Sequence, residues 1–403
     1  MLKFIARQPI LDGQLELAAY ELLFRHGPEE FFRGPDSGDA SASLIVDSSL
    51  LFDLRKLTAG RPAFLNFTEE TLLREYALLL PRDEIIVEIL ESVEPGAVVL
   101  DACRKLKSLG YRLALDDYIG SPVHAPFLEL VEIVKVDLLN TPGSQRRIVA
   151  ETLLSRGIRT LAEKVETRED FEEAKRLGYT YFQGYFFARP EIMSAHDVPA
   201  FKPHYLKILA LLSHPLDFDE IDRLIESEPS LCYKFLRYLN SPLFAFRGEI
   251  RSIRHALALI GENDFRRWFS MMAVVSMAKG KPEELIVSAV FRAQFCELLA
   301  GQARLEDRKM DLYLMGLLSL LDAILDRPLH DILDEIPLPA DIGEALLGAD
   351  SPFKKLLDCV TSYERGDWGN CSRRANELRM DEDALPGFYL QAMEGARQIF
   401  AIE

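Results

Sequence analysis

Positive charge is what this chain most lacks. Its 403 residues carry 47 Lys and Arg against 64 Asp and Glu, a formal net charge of −17. A broad surface for a nucleic-acid polymer or an anionic membrane needs dense cationic side chains, so both are excluded as partners. One small phosphorylated ligand remains admissible, provided bound cations offset the repulsion. Long apolar runs are missing too. The most apolar late stretch, LYLMGLLSLLDAIL at 312–325, is too short to span a bilayer and contains Asp322. The opening MLKFIARQPILDG has no apolar stretch of signal-peptide length, so a cytoplasmic location is expected. Cysteine is sparse and unpatterned: Cys103, Cys232, Cys296, Cys359 and Cys371 are odd in number, scattered and without CxxC spacing. That excludes a disulfide frame or a zinc site and predicts reduced, mostly buried thiols.

What is present is a soluble globular composition, 48% hydrophobic and 28% charged, over a length that calls for two or more domains. Up to about residue 190 the pattern alternates. Runs rich in Val, Ile, Leu and Phe are separated by stretches of helical spacing: VLDACRKLKSLG before YRLALDD, SQRRIVAETLLSRG before IRTLAEK, REDFEEAKRLG before YTYFQG. Gly110, Gly157 and Gly178 sit where left-handed helix stops are expected. Repeated strand–helix units predict a parallel sheet covered by helices, and eight candidate strands predict its closure into a (β/α)8-type barrel. From about residue 200 only helical segments follow: YLKILALLS, DFDEIDRLIES, PSLCYKFLRYLN, SIRHALALIG and ENDFRRWFSMMAVVSMAKG. Pro229 suits a first helical turn and Gly261 a helix stop. With a proline-rich linker at 190–203, the expectation is an α/β barrel over 1–195 and an all-α domain over 196–403.

The apolar runs of the first half share one feature. AAYE, AFLN, IIVE, LALDD, EIVK, TLAE and YFQ each close on polar residues: Glu21, Asn66, Glu88, Asp116 with Asp117, Lys135, Glu163 and Gln183. Taken singly, a strand-end Glu is a surface or capping residue, Asp-Asp a turn or cap, and a lone Lys solvated. Together they occupy one end of consecutive strands, which is where a barrel builds its active site. Clustered hard oxygen ligands suit two divalent cations about 3.5–4 Å apart, the arrangement of two-metal phosphodiester hydrolysis. Asp116 and Asp117 can bridge and flank such a pair. Asn66 supplies a neutral oxygen that limits charge build-up. Lys135 can pair with the cluster or a phosphate, and Arg25 can hold a phosphate oxygen bidentately.

These residues resemble a known family. QPILDG at 8–13, YELLFR at 20–25, NFT at 66–68, EILE at 88–91, LDDY at 115–118, KVD at 135–137, AEKVET at 162–167 and QGYFFARP at 183–190 are similar, in order, to the motifs of the EAL domain. Members of that family bind or hydrolyse cyclic di-GMP. The resemblance implies a TIM-like barrel in which Glu21, Asn66, Glu88 and Asp116 hold one Mg2+ or Mn2+. Asp117 and Glu163 would serve a second, with Lys135, Glu163 and Asp117 at the reaction centre. Gln8, Leu23, Arg25 and Gln183 would line the dinucleotide. The second half resembles the HDOD domain, a helical relative of HD phosphohydrolases that usually lacks their metal ligands. LRYLNSPLFAFRGEIRSIRHALALIG at 236–261 carries that resemblance. His204, His214, His255 and His330 are scattered, and His330-Asp331 reads as a surface helix start.

Three departures from the EAL pattern bear on activity: Leu22-Leu23 after the first Glu, DYIGSPVHAPF at 117–127 with Pro122 and Pro126, and Lys164 in place of a glycine. Two mechanisms of different class therefore stand. The barrel binds cyclic di-GMP with divalent metals while the helical domain relays the signal through an unidentified protein partner, a homodimer being possible. Alternatively, the barrel is an active phosphodiesterase yielding pGpG. A purely structural role is a third reading. Arg266, Arg267 and Trp268 are candidate contact anchors, or internal packing residues.

Overall fold

The structure, a computed structural model, describes residues 3–26, 54–188, 202–214, 229–239, 253–336 and 338–398. It divides into two compact units: Met1–Phe187 with Ser362–Gly369, and Ala188–Thr361 with Asn370–Glu403. The segment 217–227, the linker to residue 201 and the 240–252 part of the HDOD-like stretch lie outside the described residues.

Eight strands close the first unit into a barrel in sequence order. They are β1 (Lys3–Asp12), β2 (Leu17–His26), β3 (Ala63–Phe67), β4 (Ile85–Ile89), β5 (Arg112–Leu115), β6 (Ile133–Asp137), β7 (Arg159–Glu163) and β8 (Tyr181–Gln183). Six consecutive pairings from β2 to β8 are parallel. β1 runs antiparallel to both its neighbours, β2 and β8, a departure from a uniform strand–helix repeat. Its cause is a tight return at Gly13–Glu16, where Asp12 Oδ1 accepts from the backbone N–H of Gln14 and Glu16. β4 and β6 are buried along their whole length, as strands covered on both faces must be.

The barrel interior explains where the polar residues fall. One apolar layer is built from Ile10, Ala19, Phe64, Ile86, Ala114, Ile133 and Leu161, with Tyr181 packed against it: one residue from each strand. Side chains alternate with period two along a strand. Two positions toward the C-terminal rim on each parallel strand therefore point inward one layer higher. Those positions are Glu21, Asn66, Glu88, Asp116, Lys135, Glu163 and Gln183; on the reversed β1 the equivalent is Gln8.

The expected helix stops are present. The helices Ala97–Ser108, Gly143–Ser155 and Arg168–Arg176 run into Gly110, Gly157 and Gly178, all at positive φ. Gly184 is required for a different reason: a Cβ there would lie 2.1 Å from the carbonyl oxygen of Val165. That close approach seats Gln183, whose carbonyl accepts from the Val165 N–H. Ser362–Gly369 belongs to this unit through rings, with Tyr363 and Trp368 6.3 and 6.0 Å from Phe4.

The second unit is helical throughout its described residues. Pro229 opens the helix Pro229–Leu239 and Gly261 follows the helix Ile253–Ile260, as expected. Phe235, Phe265, Trp268 and Phe269 form an aromatic core. Glu283–Leu299 packs closely on Lys309–Leu318 because Gly316 admits the Arg292 backbone; a Cβ there would lie 2.4 Å from that carbonyl oxygen. All five cysteines are buried and none is in a disulfide. Among the described residues no helix is long and apolar enough to cross a membrane.

Candidate functional site

Lys135 is the centre of the polar layer. Carried inward by β6 and 1% exposed, its Nζ lies 2.5 Å from Glu88 Oε1 and 2.9 Å from Glu163 Oε1. Glu21 Oε2 and Asp116 Oδ1 stand at 3.2 and 3.3 Å. Burial alone would push an ammonium toward its neutral form. Four carboxylates outweigh it, and the Lys135 pKa is held well above the ordinary lysine value.

One ammonium cannot balance this many acids. Burial drives the Glu88 carboxyl well up, with Lys135 opposing and Glu21, Asp116 and Glu163 reinforcing. Glu163 is raised to about 8, first by burial and then by Asp116 and Glu21, against the pull of Lys135. Asp117 is raised by burial and by its neighbour Asp116. With all five acids ionised, Lys135 would leave four negative charges uncompensated. The layer must take up protons or cations.

Its oxygen atoms are arranged for cations. Asn66 Nδ2 donates to Glu21 Oε1 at 3.4 Å, and Gln183 Nε2 donates to Glu21 Oε2 at 2.7 Å and to Gln8 Oε1 at 2.9 Å. The amide nitrogens are thereby used. Asn66 Oδ1, Glu88 Oε2, Asp117 Oδ1 and Gln183 Oε1 remain buried without a hydrogen-bond partner, and Asp116 Oδ1 has only its ion pair with Lys135. Orphaned buried acceptors are costly and rare, and so many in one layer is a donor set awaiting hard cations. Asp116, Asp117 and Glu163 each bring an oxygen within 4.8 Å of the others. The chemistry of this donor set, hard carboxylate and amide oxygens, fits divalent cations.

Beyond this layer, the chain after β5 is pinned in place. The Asp116 N–H donates to the Ile89 carbonyl and the Tyr118 N–H to that of Lys135. Ser121 caps a short 3-10 helix, Pro122–Glu129, which contains both prolines of the divergent segment. Asp117 and Lys164 both adopt positive φ, 42° and 53°, a conformation costing a non-glycine residue roughly 1 kcal/mol or more.

The structure brings together all eight strand-end residues expected from the sequence, with Gln8 beside Gln183. Leu23, two residues past Glu21 on β2, is half-buried. The Arg25 side chain lies outside the described residues, so its expected phosphate contact is not among them. Asp137 is a partner that the strand-end pattern passed over. It is buried on β6, two residues past Lys135, and pairs with Lys164. The period-two rule applied once more beyond Lys135 would have found it. In the helical unit Arg266 and Trp268 are buried; Arg266 Nε donates to the Leu212 carbonyl. They pack internally. Arg267 is tied to Glu297 and Asp264. His330 and Asp331 are exposed and pair with each other at 2.8 Å, a surface helix start as expected.

Comparison with known proteins agrees with this layout. Residues 39–190 match the EAL domain and residues 198–325 the HDOD domain. The uncharacterized protein YuxH of Bacillus subtilis (strain 168) is 34% identical over 97% of this chain and 97% of its own length. The cyclic di-GMP phosphodiesterase CdgJ of Vibrio cholerae serotype O1 is 33% identical over 98% of this chain and 93% of its own. Of solved structures, an EAL domain protein from Listeria monocytogenes EGD-e aligns with 46% of this chain and 87% of its own, at 22% identity and a TM-score of 0.37.

Proposed function

Because the chain belongs to the family in which an EAL domain is followed by an HDOD domain, we propose that its barrel binds cyclic di-GMP with divalent cations and hydrolyses it to linear pGpG. The observation that carries this reading is the layer of orphaned oxygens around Lys135. Glu21, Asn66, Glu88 and Asp116 would hold one cation, and Asp117 with Glu163 the other. Bound there, Mg2+ or Mn2+ supplies an acidified water and neutralises charge on the phosphodiester. The chain's own residues do the rest. Lys135 fixes the positions of Glu88 and Glu163 and offsets part of their charge. Gln183 and Asn66 orient Glu21. The apolar layer beneath keeps bulk water from entering below, so each charge acts in a low dielectric. One phosphodiester bond breaks, with water adding to phosphorus and a ribose hydroxyl leaving.

The helical unit then relays ligand state through protein contacts. This part of the reading is motivated by the absence, among the described residues of the helical unit, of a cluster of metal-ligating side chains. A second reading, binding without turnover, is favoured by the Lys164 ammonium, which stands where it lowers the charge around Asp117.

Purified protein incubated with cyclic di-GMP and Mn2+ should yield pGpG by chromatography, and Glu21→Ala should yield none. Heat of binding in Ca2+ without product in Mn2+ would select the second reading. No heat and no product would remove the nucleotide from both.

A further inference from the structure

Lys164 is out of place by two measures. Its backbone is left-handed, which a glycine would adopt without strain. Its ammonium, on a half-exposed side chain, reaches back over the rim to Asp137 rather than out into solvent. Asp137 is itself a made receptor. It is 2% exposed at the side chain, accepts from the N–H groups of Leu139 and Asn140 at 2.7 and 3.0 Å, and takes Asn140 Nδ2 at 2.7 Å. Burial works to raise the Asp137 carboxyl, but hydrogen bonds from Lys164 and Asn140 hold it below its usual range. The same ammonium acts on Asp117 and Glu163, which in turn stabilise its charge along with Asp137. Asp117 and Glu163 are two of the three acids whose oxygens converge within 4.8 Å.

We propose that Lys164 is a resident cation on the Asp117 side of the site and that it weakens the second divalent ion relative to the first. The inference rests on the reading of the rim as a two-cation site. A strained backbone at a residue with a fixed, anchored charge is a cost the fold bears for a purpose. Here the purpose is electrostatic: a monovalent charge held on Asp137, within electrostatic reach of Asp117 and Glu163, repels an incoming divalent one. Lys135 is shared by both positions, pairing with Glu21, Glu88 and Asp116 and also with Glu163, so Lys164 is the charge that makes the two sides differ. Occupancy of the second position, and with it turnover, is thereby set by the ambient divalent concentration, while the first ion and nucleotide binding are not.

The test counts bound Mn2+ on the full chain without nucleotide, by the loss of the free-ion EPR signal and by calorimetry. Wild type should take up one ion tightly and a second at least about tenfold more weakly. Lys164→Gln removes the charge and keeps the Cβ; Lys164→Gly removes the charge and the strain. Both should tighten the second ion by about tenfold and leave the first unchanged, with spin coupling between the two ions appearing at lower Mn2+. Unchanged isotherms in both variants would overturn the proposal. So would a gain in Lys164→Gly alone, since strain and not charge would then be responsible. Glu21→Ala separates the two levels. If it abolishes the tight ion, the rim reading stands whatever Lys164 does; if wild type binds no Mn2+, both fall together.

Discussion

The barrel and the helical unit treat charge in opposite ways. In the barrel, Glu21, Glu88 and Glu163 are buried around one lysine, with acceptor oxygens in the same layer left unpartnered. In the helical unit the charged groups are largely satisfied by short-range partners near the surface. Arg308 pairs with Asp311 and Asp341, Arg267 with Glu297, and Lys281 with Asp326 at 2.5 Å. One region has an electrostatic debt that only a ligand or protons can settle, while in the other the described charges largely have local partners. Chemistry is thus expected from the first, and packing and contacts from the second.

The sharpest way to break the contrast is at its centre. Lys135→Met leaves four carboxylates facing one another without a cation, and breaking a buried pair from one side costs about 3–5 kcal/mol. The apo protein should lose that much in denaturant unfolding, and Mn2+ should restore a large part. A small change that Mn2+ does not move would mean that the acids are not strained against each other.

Glu21→Ala should lower pGpG formation by at least about a hundredfold while changing apo stability little or favourably, because one like charge is removed. In the helical unit Trp268→Ala should behave in the reverse manner. A buried aromatic of this core costs about 3–5 kcal/mol to truncate, with the Mn2+ isotherm of the folded protein unchanged.

The next test is pH. The Glu163 carboxyl is held at about 8 in the folded protein against an ordinary 4.5. The folded form thus binds its proton more tightly than the unfolded form. Stability from this group is complete below about pH 4.5 and is lost as pH rises through 8. Apo protein should therefore be less stable, and melt at lower temperature, at pH 8.5 than at pH 6.5, by about 2 kcal/mol from this group. Saturating Mn2+ should flatten the dependence, and binding should release protons. A flat apo profile would show that Glu163 is already compensated. The smallest effect belongs to an exposed pair of the barrel, Arg104 with Asp101: Arg104→Ala should cost below about 1 kcal/mol, less in high salt.

Much of the site was legible because each acid ends an apolar run, and a buried strand has no packing reason to end that way. IIVE and TLAE reveal themselves in four letters. β1 was harder. Arg7, Gln8 and Pro9 interrupt its apolar alternation, and its reversed direction depends on the Gly13–Glu16 return, which no period announces. The Asp137–Lys164 pair was invisible for a different reason. It depends on the β6–β7 register, which sets Asp137 beside Glu163. Its positive φ is likewise a property of the folded chain. Least legible was Ser362–Gly369, whose Trp368 packs on Phe4 across more than 360 positions of sequence. Nothing local encodes such a contact. Arg266 and Trp268 show the converse, since residues that look like contact anchors in sequence are core here.

The most direct test of the central claim is anomalous diffraction from a crystal soaked in Mn2+. A strong peak bounded by Glu21, Asn66, Glu88 and Asp116 is expected, with a weaker one beside Asp117 and Glu163. A rim without manganese, its acids turned apart or protonated around Lys135, would contradict it.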